Sequence, residues 1–207
     1  MQVLFIDRTE ESEYKLLERI NISIFSAINK YAGKSPLVDN IAIAIAEYLP
    51  LVFIAVLICL WFSSKVDRKH AALYAGYSAV LGALINFFIT IFYIHPRPFM
   101  ENIGTTLINH APNSSFPSDH TTFLLSIATM LLFFKSTKII GCSLLFFGLF
   151  GGVSRVFCGI HFPLDIFGSL LVSFLTSTMI WAFRENLIAI NEYTVNVYIK
   201  ALDRKKA

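Results

Sequence analysis

The chain has 207 residues, of which 56% are hydrophobic and 15% are charged, and its formal net charge is +3 at pH 7. Its mean hydropathy of +0.64 lies well above the range of soluble domains and predicts a protein embedded in a lipid bilayer. The small net charge comes from short segments between apolar stretches, so it carries information on membrane topology, and no nucleic-acid partner is expected.

The N-terminal segment, residues 14–31, has an amphipathic pattern. Apolar residues recur there at helical spacing: Leu16, Leu17, Ile20, Ile24 and Ile28. Charged residues fall between them, which predicts an amphipathic helix lying on the membrane surface. The alternative is a sixth, weakly apolar span. The first forty residues lack the basic start, the apolar stretch and the cleavage site of a secretory signal, so no cleaved signal is expected.

Five further stretches are predicted to be membrane-spanning helices, since a span needs about 20 mostly apolar residues. They cover residues 41–62, 71–94, 120–134, 138–157 and 164–183. The third is short and begins at His120, so its first turn is expected at the interface or in a polar cavity. The predicted fold is an all-α, polytopic membrane helix bundle. It forms one domain over residues 1–207, with a transmembrane core at 41–183 and a cytoplasmic tail at 184–207.

Lysine and arginine residues between the spans indicate the orientation. One face carries most of them: Lys65, Arg68, Lys69, Lys135, Lys138, Arg184, Lys200, Arg204, Lys205 and Lys206. The opposite face, apart from the N-terminal segment, carries Arg97 and Arg155. The positive-inside rule therefore predicts a multi-pass protein of the cytoplasmic membrane with these two arginines on the outer side.

Three short segments are expected to meet on that outer face. They are HPRPF at 95–99, FPSDH at 116–120 and SRVFCGIHFPLD at 154–165. Together they supply guanidinium, imidazole, hydroxyl and carboxylate groups: Arg97, Ser118, Asp119, His120, Ser154, Arg155, His161 and Asp165. These residue types fit a phosphoryl-transfer site that needs neither a metal ion nor a cofactor.

The chemistry of phosphoryl transfer asks for these groups. The guanidiniums of Arg97 and Arg155 match phosphate oxygens in a forked geometry and keep their charge. The start of the third span offers backbone N–H groups and a positive dipole end to the same oxygens. One neutral imidazole can attack phosphorus while a protonated one gives a proton to the leaving oxygen. Asp165 would reach the ring of His161 if the segment between them were helical, but Pro163 leaves a turn equally open.

The three segments resemble the three-part motif of the type 2 phosphatidic acid phosphatase superfamily. The third part matches throughout as Ser154-Arg155, five residues, His161, three residues and Asp165. A single segment of this kind is weak evidence, whereas three in the right order form a specific pattern.

The other two parts depart from the family pattern at one position each. In the second part, PSDH at 117–120, Asp119 stands where the family usually has Gly. In the first part Arg97 is present, but Thr90 replaces the Lys expected seven positions earlier. That replacement puts one phosphate contact in question.

With its stretch NHAPNSSFPSDHTT, the chain from about residue 20 to 183 is similar to the bacitracin-resistance group of undecaprenyl pyrophosphate phosphatases. The resemblance implies that His161 is the nucleophile and forms a phosphohistidine, with Asp165 orienting its ring and His120 as general acid. It also implies a set of groups around the phosphate: Arg97, Ser118 and Arg155, with Ser154 and Asp119 beside them.

The activity implied by the resemblance is hydrolysis of undecaprenyl diphosphate to undecaprenyl phosphate and phosphate at the outer face of the membrane. This reaction recycles the cell-wall lipid carrier and confers bacitracin resistance. The expected partners are the polyprenyl diphosphate lipid and membrane lipids. The same residues would support a phosphatase of phosphatidate or phosphatidylglycerophosphate. A non-enzymatic alternative is a bacitracin exporter subunit, although no nucleotide-binding motif is present.

Several polar residues allow two interpretations. Glu47, inside the first span, is either functional or a partnered structural residue, whereas Asn86 is expected to join helices. Asp119 either raises the pKa of His120 or caps the third helix. Asn113-Ser114-Ser115 matches a glycosylation pattern that is common by chance. The remaining histidines are interpreted as local hydrogen-bonding residues: His70, His95 and His110.

Overall fold

The computed structural model describes residues 8–204, which form seven α-helices and one short 3-10 helix. The α-helices are α1 Arg8–Asn29, α2 Pro36–Trp61, α3 Val66–Phe92, α4 Asp119–Leu132, α5 Lys138–Phe157, α6 Pro163–Ala182 and α7 Arg184–Arg204; the 3-10 helix is Pro98–Glu101. Within this range no residue lies in a strand. The predicted all-α helix bundle is therefore confirmed.

Four helices, α2, α3, α5 and α6, are long and apolar enough to cross a membrane. They correspond to four of the five predicted spans and make the chain a multi-pass membrane protein. Both α2 and α3 begin several residues earlier than expected, because Pro36 suits the first position of a helix and Asp39 and Asp67 lie favourably in the first turns.

The prediction of a fifth span is corrected. Helix α4 has 14 residues, so it measures about 21 Å and is shorter than the hydrocarbon core of about 30 Å. Its residues from Thr121 to Leu131 are almost all buried, since α3, α5 and α6 pack around it. Helix α4 is therefore the central element of the bundle, and its first residues lie at the end where the motif segments meet.

Buried hydroxyl groups join α4 to α3 and α6. Ser126 donates to Ser173 at 3.2 Å, and Thr129 and Ser177 lie 2.6 Å apart. Ser78 of α3 lies 3.0 Å from the hydroxyl of Ser177. In lipid, close packing of small residues and interhelical hydrogen bonds drive helix association, because hydrocarbon offers no hydrophobic driving force.

Helix α1 confirms the predicted N-terminal amphipathic helix, but polar residues belong to its buried face. Asn21, Phe25 and Asn29 lie one turn apart and are buried. Asn29 donates to the carbonyls of Thr105 at 2.8 Å and Phe157 at 2.7 Å. The apolar residues of the sequence pattern are instead exposed: Leu16, Leu17, Ile20 and Ile24. This outer face suits contact with lipid.

Within the predicted cytoplasmic tail, residues 184–204 form the helix α7. Tyr77 of α3 donates to Asn191 at 2.8 Å, and Tyr74 donates to the carbonyl of Arg184 at 2.9 Å. These contacts hold α7 against α3. The two ends of the predicted chain-long domain, residues 1–7 and 205–207, lie outside the described residues.

Candidate active site

His161 lies in the short connection between α5 and α6 and is 1% exposed. The connection turns at Gly159, whose φ is 77°, a left-handed conformation that glycine adopts without strain. Pro163 then begins α6 at the first helical position, where its missing N–H costs nothing. The ring is thereby placed at the start of α6 inside the protein.

Asp165 contacts His161 as the sequence suggested, but through a helix cap. The Nδ1 atom of His161 lies 3.1 Å from Oδ2 of Asp165. The same oxygen accepts the backbone N–H of Phe162 at 2.8 Å. Phe162 precedes α6 with an extended backbone, so the contact arises as at a capped helix N-terminus and not within a helical turn.

The other ring nitrogen of His161 faces Arg97. The Nη1 atom of Arg97 lies 3.1 Å from Nε2 of His161. Because a guanidinium can only donate, Nε2 must accept this hydrogen bond. In the neutral ring the proton is then on Nδ1 and points to Asp165. This tautomer leaves a lone pair on Nε2, which is what a nucleophilic imidazole needs.

Arg97 is held in place by three further acceptors and is 3% exposed. It donates to the carbonyl of Ile160 at 2.8 Å, to the side chain of Asn113 at 3.0 Å and to the carbonyl of Ser114 at 3.1 Å. Burial lowers the pKa of Arg97, and the carboxylate of Asp165 opposes this effect. The guanidinium is therefore fixed next to His161 before any ligand arrives.

Ser115 is a site residue that the sequence analysis missed. Its hydroxyl donates to Oδ2 of Asp165 and lies 3.4 Å from Nδ1 of His161. Its backbone N–H donates to the carbonyl of His95 at 2.7 Å. Its tripeptide was noticed only as a glycosylation match. The available signal was its position two residues before the PSDH segment.

Arg155 lies in the last turn of α5 and is 3% exposed. Its Nη1 donates to the carbonyl of Ala46 in α2 at 3.0 Å. Its buried Nε has no hydrogen-bond partner among the described residues. Glu47 follows Ala46 in α2 and is exposed. A buried guanidinium with an unpaired N–H can still donate to an anion.

The two motif serines use their hydroxyl groups locally. Ser118 is buried and is the N-cap of α4, where its Oγ accepts from the hydroxyl of Thr121 at 3.0 Å. Ser154 donates to the carbonyl of Phe150 one turn earlier in α5 at 3.0 Å. Both serines therefore stabilise the helices that carry the site.

Asp119 is the first residue of α4, next to the capping Ser118. Its carboxylate accepts a hydrogen bond from Asn86 of α3 at 2.9 Å, and Asn86 also donates to Thr122 at 3.0 Å. The prediction that Asn86 joins helices is confirmed, and Ser118 takes the capping position considered for Asp119. An acidic residue in the first turn still interacts favourably with the helix dipole.

His120 lies in the first turn of α4, outside the four spanning helices, and its side chain is exposed. Part of the residue is exposed, but partial desolvation of the ring and then the charge of Arg155 lower its pKa to about 4, and Asp119 acts in the opposite direction. The charge of Asp119 by itself raises the pKa of His120, as predicted. The net shift is downward, because desolvation and the arginines outweigh one carboxylate.

The structure also brings His110 and Thr90 near the site. The rings of His110 and His161 have centroids 6.4 Å apart, and burial lowers the pKa of His110. Thr90, which replaces the family Lys, donates to the carbonyl of Phe87 and lines a cavity of about 330 Å³ with Asp119. The two departures from the family motif therefore face the same pocket.

No group of three or more His, Cys, Asp or Glu side chains that could hold a metal ion occurs in the part of the chain that the structure describes.

Proteins with similar sequences cover most of the chain. Undecaprenyl-diphosphatase BcrC of Bacillus subtilis (strain 168) is 38% identical over 180 residues, which are 86% of this chain and 92% of that protein. YbjG of Escherichia coli (strain K12) is 31% identical over 169 residues, 80% of this chain and 85% of that protein. Bacitracin transport permease protein BcrC of Bacillus licheniformis is 27% identical over 165 residues, 78% and 79% of the two chains.

A solved structure shares the fold. The crystal structure of Aquifex aeolicus LpxE matches with a TM-score of 0.66 and 26% sequence identity, over 79% of this chain and 95% of that chain. The family model of the PAP2 superfamily matches residues 71–189, a range that contains all three motif segments. The sequence match, the shared fold and the arrangement of Arg97, His161 and Asp165 agree, and the chain belongs to the PAP2 superfamily.

Proposed function

We propose that this protein is an undecaprenyl-diphosphate phosphatase that hydrolyses undecaprenyl diphosphate to undecaprenyl phosphate and phosphate. The observation that carries the proposal is the fixed tautomer of His161, with Asp165 on one ring nitrogen and Arg97 on the other. The substrate assignment is supported by the 38% identity to undecaprenyl-diphosphatase BcrC over most of both chains. Hydrolysis of this lipid regenerates the cell-wall carrier and opposes bacitracin.

In the first step, the terminal phosphate takes the place of His161 as an acceptor of Arg97 and is also bound by Arg155. The Nε2 lone pair of His161 attacks phosphorus, and the bond from phosphorus to the bridging oxygen breaks. The negative charge of the bound diphosphate raises the pKa of His120 above its unliganded value and favours the protonated ring. The bridging oxygen leaves on undecaprenyl phosphate and takes a proton from this ring. A phosphohistidine remains, with Asp165 stabilising the positive charge of the substituted ring.

In the second step, water attacks the phosphorus of the phosphohistidine. His120, which has given up its proton, accepts one from this water, and phosphate leaves as the bond to Nε2 breaks. His120 and His161 return to their starting protonation states. The side chains supply the cationic charge that the transition state needs, so the proposed reaction uses no metal ion and no cofactor.

The pKa of His161 supports its role as nucleophile. Burial lowers this pKa to about 3, and the hydrogen bond and charge of Asp165 act against that shift. A pKa below the usual range keeps the ring neutral at neutral pH. The attacking nitrogen is therefore available without prior loss of a proton.

The remaining motif residues support the site around the phosphate. We assign Ser118 to the start of α4, where the helix dipole favours an anion. The hydroxyl of Ser154 donates a hydrogen bond within its own helix, so Ser154 stabilises α5. Asp119 is a carboxylate and acts on His120, since direct contact with phosphate would be repulsive.

We also propose that the site faces the outer side of the cytoplasmic membrane. The support is the excess of lysine and arginine in the loops and tail at the opposite end of the bundle. Spent undecaprenyl diphosphate becomes available on that side, so this orientation gives the enzyme its substrate.

A phosphatidate or phosphatidylglycerophosphate phosphatase would use the same groups, and it is distinguished by substrate turnover. The exporter alternative is carried only by the name of the Bacillus licheniformis relative. Transport does not require a nucleophilic tautomer of His161 with a paired arginine, so the phosphatase is favoured.

The test is phosphate release by purified protein in detergent with undecaprenyl diphosphate, phosphatidate and phosphatidylglycerophosphate, each with excess chelator. We expect the highest kcat/KM for undecaprenyl diphosphate and no loss in chelator. His161→Ala should abolish both turnover and acid-labile labelling by substrate carrying a radioactive terminal phosphate, whereas the matched control His70→Ala at the other end should retain both. An absolute need for added magnesium, or a turning-over His161→Ala protein, would overturn the mechanism.

A further inference from the structure

Only one of the two carboxylate oxygens of Asp165 accepts hydrogen bonds from the groups described so far. Its Oδ2 accepts from His161, Phe162 and Ser115. Its other oxygen, Oδ1, is buried and has no hydrogen-bond partner among the described residues. An unpaired buried carboxylate oxygen is costly, so a positive or donating neighbour is expected close to it.

His95 is the neighbour that faces this oxygen. Its Nδ1 lies 3.9 Å from Oδ1 of Asp165, and this ring nitrogen likewise has no hydrogen-bond partner among the residues described. The side chain of His95 is 12% exposed. The two unpaired atoms therefore face each other across that distance.

The position of His95 is fixed by its surroundings. Its backbone N–H donates to the hydroxyl of Ser114 at 3.2 Å. Its ring stacks on Tyr93 with centroids 6.1 Å apart and meets the ring of Phe162 edge to face at 5.5 Å. Phe162 is also the residue whose N–H binds Asp165. The two sides of the Asp165 carboxylate are thus held by one packed unit.

Helix α1 completes the arrangement. The Nε2 atom of His95 lies 3.8 Å from Oε2 of Glu18. Glu18 is only partly exposed, whereas its neighbours Leu17 and Arg19 are exposed. The titratable groups around His95 are Glu18 and Tyr14 from α1, Tyr93 from its own segment, and Asp165 from α6, all of which line one apolar groove of about 510 Å³.

We infer that His95 and Glu18 are positioning residues of the active site. His95 pairs with the free oxygen of Asp165, and Glu18 holds the His95 ring in the orientation that makes this contact. Asp165 in turn orients His161. The chain of groups Glu18, His95, Asp165 and His161 makes α1 part of the catalytic apparatus. This inference rests on the proposed role of His161 as nucleophile.

The physical reason is that rotation of the buried Asp165 carboxylate would break its hydrogen bond with Nδ1 of His161. That hydrogen bond holds the ring in its nucleophilic tautomer. With both oxygens held, the Asp165 carboxylate has one orientation, and the Nδ1 proton of His161 stays directed at it. Loss of His95 would remove the group that faces Oδ1 and free the carboxylate to turn away from His161. The phosphate ligands Arg97 and Arg155 would be unaffected, so binding should change little.

The experiment compares His95→Gln and Glu18→Gln with wild type in steady-state hydrolysis of undecaprenyl diphosphate. We expect kcat to fall about tenfold in each variant while KM stays within about twofold. Glu18→Asp should retain more activity than Glu18→Gln, because the charge is kept. Glu13→Gln, an exposed residue of the same helix, is the matched control and should behave as wild type.

Coupling to Asp165 separates positioning from a general effect on stability. In an Asp165→Asn background, His95→Gln should lower kcat no further, since the contact through which it acts is already lost. Additive losses, or wild-type kcat in both single variants, would overturn the inference. If His95→Gln lowers the melting temperature, the kcat values of the Glu18 variants test the inference instead, because Glu18 is less buried.

The proposed function is judged separately. It fails if the wild-type protein releases no phosphate or if His161→Ala stays active. In an active wild-type enzyme with an inactive His161→Ala variant, undiminished formation of the labelled phosphoenzyme by both Glu18→Gln and His95→Gln rejects only the inference about positioning.

Discussion

At the residue scale, the central feature is that both ring nitrogens of His161 have assigned partners. Arg97 requires Nε2 to be a hydrogen-bond acceptor, so the ring proton is on Nδ1. Asp165 accepts the hydrogen bond from this N–H. The hydroxyl of Ser115 donates to the same carboxylate oxygen. This oxygen therefore accepts hydrogen bonds from both Ser115 and His161. The hydroxyl of Ser115 should therefore matter for turnover although it lies outside the family motif.

Ser115→Ala should lower kcat about ten- to a hundredfold, because a hydrogen bond to a charged group contributes about 1.5–3 kcal/mol. Such a difference in the transition state corresponds to that change in rate. Steady-state hydrolysis measures it. Ser143→Ala, an exposed position in α5 whose hydroxyl bonds only its own helix, is the control. Equal kcat values for the two variants would contradict the role of Ser115.

Asp119 gives a prediction for the pH dependence. Its carboxylate raises the pKa of His120 against the stronger lowering effects of desolvation and Arg155. Removing it should lower this pKa further. A general acid works only while protonated, so the alkaline limb of kcat in Asp119→Gly should move to lower pH, by up to about one unit.

The measurement is a kcat–pH profile of purified Asp119→Gly with a thermal melt at neutral pH. Asp119→Asn serves as the comparison, because it keeps a side chain that can contact Asn86 while removing the charge. Both variants should show the shifted limb. An unchanged limb with a lowered melting temperature would show that Asp119 acts only on the stability of α4.

The pH profiles should also separate free enzyme from complex. Bound phosphate brings negative charge near His120 and raises its pKa relative to the unliganded value of about 4. The alkaline limb of kcat should therefore lie at higher pH than that of kcat/KM, since the former reports the complex and the latter the free enzyme. Coincident limbs would argue against His120 as the group that titrates.

At the element scale, the connection between α5 and α6 decides where His161 points. Cys158 closes α5, Gly159 reverses the chain and Pro163 starts α6. A Cβ added at Gly159 would lie 2.3 Å from the carbonyl oxygen of Thr105. That oxygen also accepts from Asn29 of α1, so the connection and α1 constrain each other.

Gly159→Ala should destabilise the protein by about 2 kcal/mol or more, because it combines a left-handed backbone with a clash against main-chain atoms. The matched control is Gly76→Ala in α3, where a Cβ meets nothing within 4 Å and helix propensity favours Ala by up to about 1 kcal/mol. Thermal melts in detergent measure both. Equal melting temperatures would contradict the strained turn.

At the scale of the whole molecule, the short helix α4 is surrounded by the longer α3, α5 and α6. With 14 residues, α4 by itself is shorter than the hydrocarbon core of a bilayer. The site lies at the end where α4 begins. Which membrane face this end meets is proposed from charge and can be measured.

Cysteine labelling on intact cells tests the orientation. Cys59 and Cys142 are exposed and Cys158 is buried, so Cys59→Ser and Cys142→Ser give a suitable background. Asn109→Cys, exposed in the loop before α4, should react with an impermeant thiol reagent from outside. Ser64→Cys, exposed between α2 and α3, should react only after lysis. The reverse pattern would place the site on the cytoplasmic leaflet.

Much of the fold and the site could be predicted from the sequence, because both leave local signals. Apolar stretches of about 20 residues mark spans, and the predicted 138–157 agrees with α5 at both ends. The motif segments contain Arg97, His161 and Asp165, which the structure joins by hydrogen bonds. The predicted 120–134 lies close to the observed α4, Asp119–Leu132, but it was interpreted as a span, since a buried helix and a spanning helix have similar composition.

The residues that were missed are those whose importance depends on distant neighbours. Ser115 and Asn113 are ordinary loop residues in the sequence, and His95 was interpreted as local. Their contacts with Asp165 and Arg97 join positions 16 to 70 residues apart in the chain. Glu18 is farther still, in α1. No periodicity or spacing records such pairs.

The amino-acid sequence by itself determined the membrane class, the all-helical architecture and the chemical groups of the site, because these follow from composition, apolar length and short motifs. Only the tertiary structure decided which tautomer His161 adopts, which side of Asp165 is free and which residues hold Arg97. The physical reason is that hydrogen bonds and ion pairs act over about 3–4 Å. Distances of that size between remote segments exist only after the helices have packed.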